Sequence, residues 1–359
     1  MMRAEYDDML KKALNGARFT KEEVIFLLKP EKDEMDALFQ TADRIRKAVF
    51  GDYVHLRGIV EFSNFCERNC LYCGLRKNNR NITRYRLMPE EIVDIAAYAV
   101  SIGYKTLVLQ SGEDSFYTTG LLCDVIKRIK ERVDVAITLS IGERDFEDYR
   151  LLREAGADRY LIKQETSNRE LYRKLHPGMS YENRIRCQKD LKSLRYELGT
   201  GNMVGLPWQN VETLAEDIIF FREMDADMIG IGPFISNPNT PLGRFPSGTV
   251  EETLKVLAVT RLVNPLVNLP ATTALGSLDS FGRQKGLMAG ANVVMPNVMP
   301  VNYRRLYEIY PSKICTGERP EACRHCIEGI INSIGRKVST GYGESPKSLR
   351  RGNAVCMMS

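Results

Sequence analysis

Cys66-Glu-Arg-Asn-Cys70-Leu-Tyr-Cys73, followed at once by Gly74, places three thiols on one short stretch with C-x3-C-x2-C spacing. Three thiolates so spaced can hold three corners of an iron–sulfur cube. A [4Fe-4S] cube has four irons, so a Cys triplet leaves one iron open to an exchangeable ligand; electron-transfer ferredoxins supply a fourth Cys. An open iron points to a bound substrate or cofactor. Zinc would ask for four protein ligands, or three plus water. The histidines are His55, His176 and His325. His55 lies about one strand length upstream, so zinc lacks an obvious partner near the triplet. The remaining alternative is three unrelated core thiols, because free Cys often packs as a small hydrophobe.

A second group comes late: Cys315, then Cys323-Arg-His-Cys326. It follows Tyr303-Arg-Arg-Leu-Tyr307 and precedes an apolar stretch, 327–334, that reads as a helix. These thiolates could carry a second, smaller or incomplete cluster, [2Fe-2S] or [4Fe-4S], with a non-protein ligand. Zinc completed by His325 is the alternative, though Cys326 would then ligate the same metal as its neighbour; packing thiols without metal are the third. Cys123 and Cys187 fall in helix patterns and read as packing residues. Cys356 is a lone tail thiol.

The elements that must position these groups follow a repeating pattern. Residues 1–14, 20–28 and 34–49 read as helices, and Thr20-Lys-Glu-Glu23 fits a capping box. From residue 54 onward short apolar runs at 56–62, 106–110, 135–139, 160–164, 201–205, 228–232, 268–271 and 292–295 read as strands. Amphipathic stretches at 89–102, 119–131, 145–155, 181–194, 211–224, 249–264 and 278–289 lie between them. Pro89 before Glu90-Glu91 marks a helix start, with acids facing the positive end of the dipole. Strands alternating with helices imply a parallel sheet. Eight such strands predict an α/β fold, a complete (β/α)8 TIM-type barrel. An N-terminal helical lead-in occupies 1–50, the barrel 51–300 and a C-terminal Cys-rich extension 301–359. The tail from about Ser339, with its basic run Lys347-Ser-Leu-Arg-Arg351, reads as loosely ordered and solvated.

A barrel of this kind carries its site at the C-terminal ends of its strands. Polar residues gather there. The second strand ends in Gln110-Ser-Gly-Glu-Asp114. On the third, alternation puts Thr138 and Ser140 on one side. On the fourth, Lys163 and Glu165 share a side, which is expensive unless they are paired or bound to a charged ligand. Arg184 follows Ser180 on an expected helix and offers bidentate geometry to a carboxylate. Gly230-Ile-Gly232 lacks the third glycine of a dinucleotide fingerprint.

Composition narrows the class. With 43% hydrophobic and 27% charged residues the chain can bury a full core. A net charge of +5, spread along the chain, argues against a dedicated nucleic-acid binder. No run approaches 18 uninterrupted apolar residues, so no membrane partner is expected. The acidic, apolar-poor start resembles neither a secretory signal nor a transit peptide. Nine cysteines in that context imply a reducing, cytoplasmic compartment and metal or redox chemistry rather than disulfides.

The first triplet, with an aromatic residue before its last Cys, resembles the signature of the radical S-adenosylmethionine (SAM) enzymes. Gln110–Asp114 is similar to their Gly-Gly-Glu element, with Ser111 replacing the first glycine. Val60-Glu-Phe-Ser-Asn64, Ala157-Asp-Arg-Tyr160, the run 201–209, Gly230–Phe234, Pro270-Ala-Thr-Thr-Ala274 and Ala291–Pro296 add a closer match. Together they resemble the HydE family of [FeFe]-hydrogenase maturases over about residues 5–338. A more distant similarity runs to biotin synthase and methylornithine synthase. The resemblance implies Cys66, Cys70 and Cys73 as catalytic [4Fe-4S] ligands. It implies Ser140, Glu165 and Arg184 as SAM contacts, with Tyr72, Gln110, Ser111, Gly112, Glu113, Asp114 and Met203 nearby. Arg57, Thr138, Lys163, Thr273, Met295 and Tyr307 match an anion-accepting lower cavity. Lys163 stands where an arginine is expected and Gln164 where a histidine is usual; Trp208 replaces a small residue. The implied activity is reductive SAM cleavage acting on an iron–cysteine–CO–cyanide precursor of the hydrogenase diiron subcluster. Implied partners are a ferredoxin or flavodoxin electron donor and other hydrogenase maturases. The alternatives are an amino-acid mutase like methylornithine synthase and a non-catalytic metal-carrying scaffold. Biotin-synthase-like sulfur insertion would need inner-cluster cysteines on strands, where this chain has none.

Overall fold

In a computed structural model, residues 2–349 are described. Met1 and 350–359, including Arg351 and Cys356, lie outside the described residues. Three helices lead in: α1 (Ala4–Leu14), α2 (Lys21–Leu27) and α3 (Lys32–Phe50). The capping box at Thr20 is formed: its side chain accepts from Glu23 N, and Glu23 accepts from Thr20 N at 2.8 Å.

Strands and helices then alternate: β1 (Tyr53–Leu56), β2 (Gly58–Ser63), α4 (Pro89–Ser101), β3 (Thr106–Ser111), α5 (Thr119–Arg132), β4 (Ala136–Ser140), α6 (Phe146–Glu154) and β5 (Arg159–Leu161). Next come α7 (Arg169–Leu175), α8 (Tyr181–Ser193), β6 (Glu197–Val204), α9 (Val211–Glu223), β7 (Met228–Pro233) and α10 (Val250–Val263). The chain continues through α11 (Thr273–Leu278), α12 (Gly282–Met288), β8 (Val293–Val294), α13 (Val301–Arg304), α14 (Pro320–Ser333) and β9 (Lys337–Val338).

Strands β2 to β7 pair in sequence order in a six-stranded parallel sheet, and β1 lies between β8 and β9 in a second one, also parallel. Buried apolar residues run unbroken through Leu107–Leu109 and Ile229–Ile231. This is the pattern of parallel strands covered on both faces. Single parallel bridges join Met228 to Asn268, Pro270 to Val293 and Ile59 to Asn297. The lead-in helix α3 packs against α10.

Several boundaries differ from the sequence reading. The first strand breaks at Arg57 into β1 and β2. The runs at 268–271 and 292–295 are reduced to bridges and the two-residue β8, because Pro270 and Pro296 donate no ladder hydrogen bond. The helix expected over 278–289 is interrupted where Asp279 Oδ1 accepts from Phe281 N at 2.8 Å. The unforeseen α7 is capped by Asn168, whose Oδ1 accepts from Leu171 N at 2.9 Å. Helix α14 begins at Pro320, so Cys323 and Cys326 lie on it rather than before it.

The tail corrects the largest expectation. Residues 339–349 are not loosely ordered; they run beneath the N-terminal ends of the strands. Thr106 Oγ1 donates to Tyr342 O at 2.7 Å. Gly343 O accepts from Arg57 Nη2 at 3.0 Å and from Asn268 Nδ2 at 3.2 Å. Ser345 N donates to Glu197 at 3.0 Å. Lys347 is paired with Asp225 at 2.9 Å rather than simply solvated. Gly343 has φ +65°, and a Cβ there would lie 2.9 Å from the His55 ring, so a side chain is excluded twice. Among the described residues no helix is long and apolar enough to cross a membrane.

Candidate active site

The loop after β2 carries the first triplet and is braced from within. Asn64 Nδ2 donates to Thr83 O and Leu306 O at 2.8 and 2.7 Å, and Asn64 Oδ1 accepts from Tyr85 N at 2.8 Å. Arg84 donates to Leu75 O at 2.9 Å and Arg76 O at 2.8 Å. Gly112 admits the loop at close range: a Cβ there would sit 2.1 Å from Phe65 O and 2.7 Å from the Cys66 side chain. Without that glycine the end of β3 could not lie against Cys66.

Cys66, Cys70 and Cys73 are free thiols that line one cavity of about 410 Å³ at the C-terminal ends of the strands. Burial pushes all three thiols up, Cys70 to about 12, and proximity of Cys66 adds to the effect on Cys70. Ionising three crowded thiols therefore requires positive charge among them, which iron supplies. Among the described residues no three His, Cys, Asp or Glu side chains converge on the position of one metal ion. A cube accepts thiolates at separate corners, whereas zinc requires convergence. The residues thus fit a cluster better than zinc.

Beside the thiols lie two arginines and two carboxylates. Arg68 Nε is 2.5 Å from Glu113 Oε2. Arg184 Nε is 2.8 Å from Glu143 Oε1, and Arg184 Nη2 is 3.9 Å from Glu113 Oε1. Arg68 Nη2 is 3.7 Å from Glu143 Oε2. Burial raises the Glu113 carboxyl, against the pull of Arg184 and Arg68. For Arg184 burial is outweighed by Tyr172, Glu143 and Glu113, which hold its charge firmly. Gly142, at φ +83°, leaves room for Glu113: a Cβ there would be 2.0 Å from Glu113 Cγ. A zwitterion meeting this quartet finds a cation for its carboxylate and an anion for its ammonium.

The cavity also gathers Tyr72, Gln110, Ser111, Gly112, Ser140, Lys163, Glu165, Met203, Thr273, Met295 and Tyr307. Gln110 Nε2 donates to Tyr307 OH at 3.2 Å. Glu165 has φ +64°, a left-handed conformation that a carboxylate residue rarely adopts and that clusters at functional sites. It is pinned by Glu165 N donating to Gly201 O at 3.1 Å and by Glu165 O accepting from Met203 N at 3.2 Å.

Three sequence-picked residues lie elsewhere. Asp114 turns away from the cavity to accept from Arg86 at 2.8 Å and Ser63 at 2.6 Å, bracing the loop. Arg57 and Thr138 lie below the lining. Arg57 Nη1 donates to Met228 Sδ at 2.8 Å, and Met228 itself lines the cavity. Arg57 Nε and the Thr138 hydroxyl have no partner, and burial lowers the Arg57 guanidinium to about 9. Gln164, in place of the usual histidine, is buried and accepts from Gln188 Nε2 at 3.3 Å and from Thr200. Sequence reasoning missed Glu143 and passed over His176, whose roles arise from partners about 40 and 100 residues away. The glycine before Glu143, at the end of an expected strand, was the available signal.

In the second group Cys315 and Cys323 meet. The neighbouring Cys323 thiol and Arg283 favour the Cys315 thiolate against the effect of burial, while Cys323 is pushed up. Arg283 Nη1 lies 3.5 Å from Cys315 Sγ. Cys326 and His325 are exposed on α14.

A parallel α/β sheet with a Cys triplet, an Arg–Glu quartet and a strained glutamate at its strand ends has the parts of a radical SAM protein. The family description "Radical SAM superfamily" matches residues 60–221. The [FeFe] hydrogenase maturase subunit HydE of Thermotoga maritima is 51% identical over 308 residues, covering 86% of this chain and 88% of that protein. A 3-methylornithine synthase of Methanosarcina barkeri is 30% identical, over 82% of this chain and 84% of its own. The crystal structure of methylornithine synthase (PylB) aligns with a TM-score of 0.80 at 26% identity, over 92% of this chain and 97% of that one. HydG, a maturase of the [FeFe]-hydrogenase, shares the fold with a TM-score of 0.81 at 21% identity, over 93% of this chain and 76% of its own. The chain belongs to the HydE family of hydrogenase maturases, within the radical SAM superfamily.

Proposed function

We propose that this enzyme cleaves SAM reductively at the Cys66–Cys73 loop and acts on an iron–cysteine–CO–cyanide precursor during assembly of the [FeFe]-hydrogenase diiron subcluster. When bound, a [4Fe-4S] cluster supplies the electron that breaks the S–C5′ bond of SAM, giving methionine and a 5′-deoxyadenosyl radical. Cys66, Cys70 and Cys73 hold the cluster. Glu113 takes the SAM ammonium, Arg184 its carboxylate, and Ser140 and Glu165 its ribose. Tyr72, Gln110, Ser111, Gly112 and Met203 shape the surrounding wall, and Asp114 acts through the loop it braces. Lys163, Thr273, Met295 and Tyr307 face the anionic substrate, with Arg57 and Thr138 beneath.

The observation that carries this reading is the convergence of three thiols with Arg68, Glu113 and Arg184 on one cavity, the two arginines tied together behind it by Glu143, in a chain 51% identical to a HydE. The bridges at Asn268, Val293 and Asn297 support closure of the strands into a complete (β/α)8 barrel spanning about 51–300. A closed barrel keeps water from a radical. Cys315, Cys323 and Cys326 are read as ligands of a second iron–sulfur cluster on the C-terminal extension, 301–359, outside the cavity. A ferredoxin or flavodoxin supplies the electron, other maturases supply or receive the organometallic species, and the setting is cytoplasmic.

Anaerobic reconstitution followed by reduction in the presence of SAM tests the assignment. The wild type is expected to form 5′-deoxyadenosine, and Cys66→Ser, Cys70→Ser and Cys73→Ser each to abolish it, a hydroxyl being a poor ligand for a soft thiolate site. Normal product from any of the three would sink it. The similarity to methylornithine synthases supports amino-acid mutase chemistry as a second reading. Turnover of lysine, with none of the iron–cysteine complex, would decide for that reading.

A further inference from the structure

His176 follows α7 and is 1% exposed. Its ring stacks on Tyr172 with centroids 4.2 Å apart at 27°. Nδ1 lies 2.9 Å from Tyr172 O. A carbonyl oxygen only accepts, so Nδ1 carries the proton and Nε2 is left as an acceptor. The Tyr72 hydroxyl, 2.9 Å from Nε2, therefore donates to it. Burial, with Arg184 nearby, pushes His176 down to about 3, so the ring stays neutral and the acceptor persists at working pH. One residue before Tyr72, Leu71 N donates to Leu175 O at 2.9 Å. Two bonds thus fasten the middle of the Cys70–Cys73 segment to the end of α7. On the other side, Met179 N donates to His176 O at 3.1 Å, and α8, which carries Arg184, starts at Tyr181. Tyr72, His176 and Met179 all line the thiol cavity.

We propose that His176 is a positioning residue for SAM: by accepting the Tyr72 hydroxyl it sets the distance between the Cys70–Cys73 segment and the helix bearing Arg184. This rests on the SAM reading of the cavity. SAM must span from the cluster-holding thiols to Arg184, so a loop free to drift from α7 would bind it more weakly. The role belongs to the hydrogen bond rather than to the ring. His176→Phe keeps a flat ring against Tyr172 and loses the acceptor; Tyr72→Phe keeps its ring and loses the donor.

Equilibrium dialysis of SAM against the anaerobically reconstituted protein tests the proposal, with iron content and the EPR spectrum of the reduced cluster measured alongside. Each single variant is expected to keep its wild-type iron content and to bind SAM roughly three- to tenfold more weakly. Each should also alter the change in EPR spectrum that SAM produces. The double variant should be no weaker than either single, because both remove one bond. Additive losses, unchanged affinity in either single, or lost iron in Tyr72→Phe would overturn the proposal. If His176→Phe fails to fold, Tyr72→Phe decides alone. A wild type that binds no SAM would bring down the SAM reading and this role together. A wild type that binds SAM no better than the variants would bring down only this role.

Discussion

Lys163 Nζ lies 2.8 Å from Glu165 Oε2 across the cavity wall. The contact lacks hydrogen-bond geometry, and Glu165 Oε2 retains an unused acceptor position. Lys163 also packs against bare backbone: its side chain is the nearest neighbour a Cβ at Gly230 would meet. The pair therefore holds charge balance through a close contact that is not a hydrogen bond.

On the roles proposed for them, the two residues should respond differently to substitution. Glu165→Gln should weaken SAM binding and slow its cleavage. Lys163→Met should leave SAM cleavage largely intact and impair turnover of the anionic iron substrate. Losing one charge-assisted hydrogen bond costs about 1.5–3 kcal/mol, on the order of tenfold or more in affinity. Binding and single-turnover assays on both variants measure this. Equal loss of SAM binding in the two would make them one structural pair and remove the anion site.

Gly112→Ala should displace the cluster loop. The added methyl would lie 2.1 Å from Phe65 O, and backbone cannot yield as a flexible side-chain end does. We expect a loss of about 1–3 kcal/mol in stability and a lower iron content after reconstitution. Gly120→Ala is the control: nothing lies within 4 Å of its Cβ position near the start of α5. It should be neutral or stabilising by up to about 1 kcal/mol. Denaturation midpoints and iron assays of the two, side by side, give the comparison.

The parts that were legible in the sequence are those whose cause is local. The Cys66–Cys73 spacing, the Pro89 helix start and the Thr20 capping box depend on residues within a turn or two of one another. The parallel strands were legible because burial on both faces leaves continuous apolar runs such as Leu107–Leu109. What was not legible depends on distant backbone. The tail is held by Gly343 O accepting from Arg57, 286 positions away, and nothing in the composition of 339–349 signals that. Asp114 looked like a strand-end ligand, yet Arg86 takes both its oxygens. Glu143 acquires its role only when α8 folds back and brings Arg184 to it.

The late cysteines should be separable from SAM cleavage. Cys315 and Cys323 are joined to each other and to Arg283, on elements that follow β7, and none of the three late thiols lines the cavity. A Cys315→Ser/Cys323→Ser/Cys326→Ser variant should lose iron after reconstitution yet still form 5′-deoxyadenosine. Loss of that product with the first cluster intact would show that the two sites are coupled.

The floor of the sheet makes stability depend on acid. His55 is half-buried beside Gly343 and near Arg57, its Nδ1 has no partner, and it is lowered from an ordinary value near 6.5 to about 4, by burial first and Arg57 second. The folded state therefore disfavours the imidazolium. Above about pH 6.5 the ring is neutral in folded and unfolded chains alike, and its contribution to stability is fully present. As the pH falls towards 4 the unfolded chain takes up a proton that the folded one refuses, and stability is lost. The loss is about 1.4 kcal/mol per pH unit at most, and partial exposure of the ring reduces it. His55→Gln removes the titration while keeping a polar side chain. Urea denaturation at about pH 7 and about pH 5 should show the wild type losing roughly 1–2 kcal/mol more than the variant. His176 drives the same trend in both proteins, so it cancels in the difference. An equal acid loss in wild type and variant would mean that His55 accepts a proton without disturbing the floor.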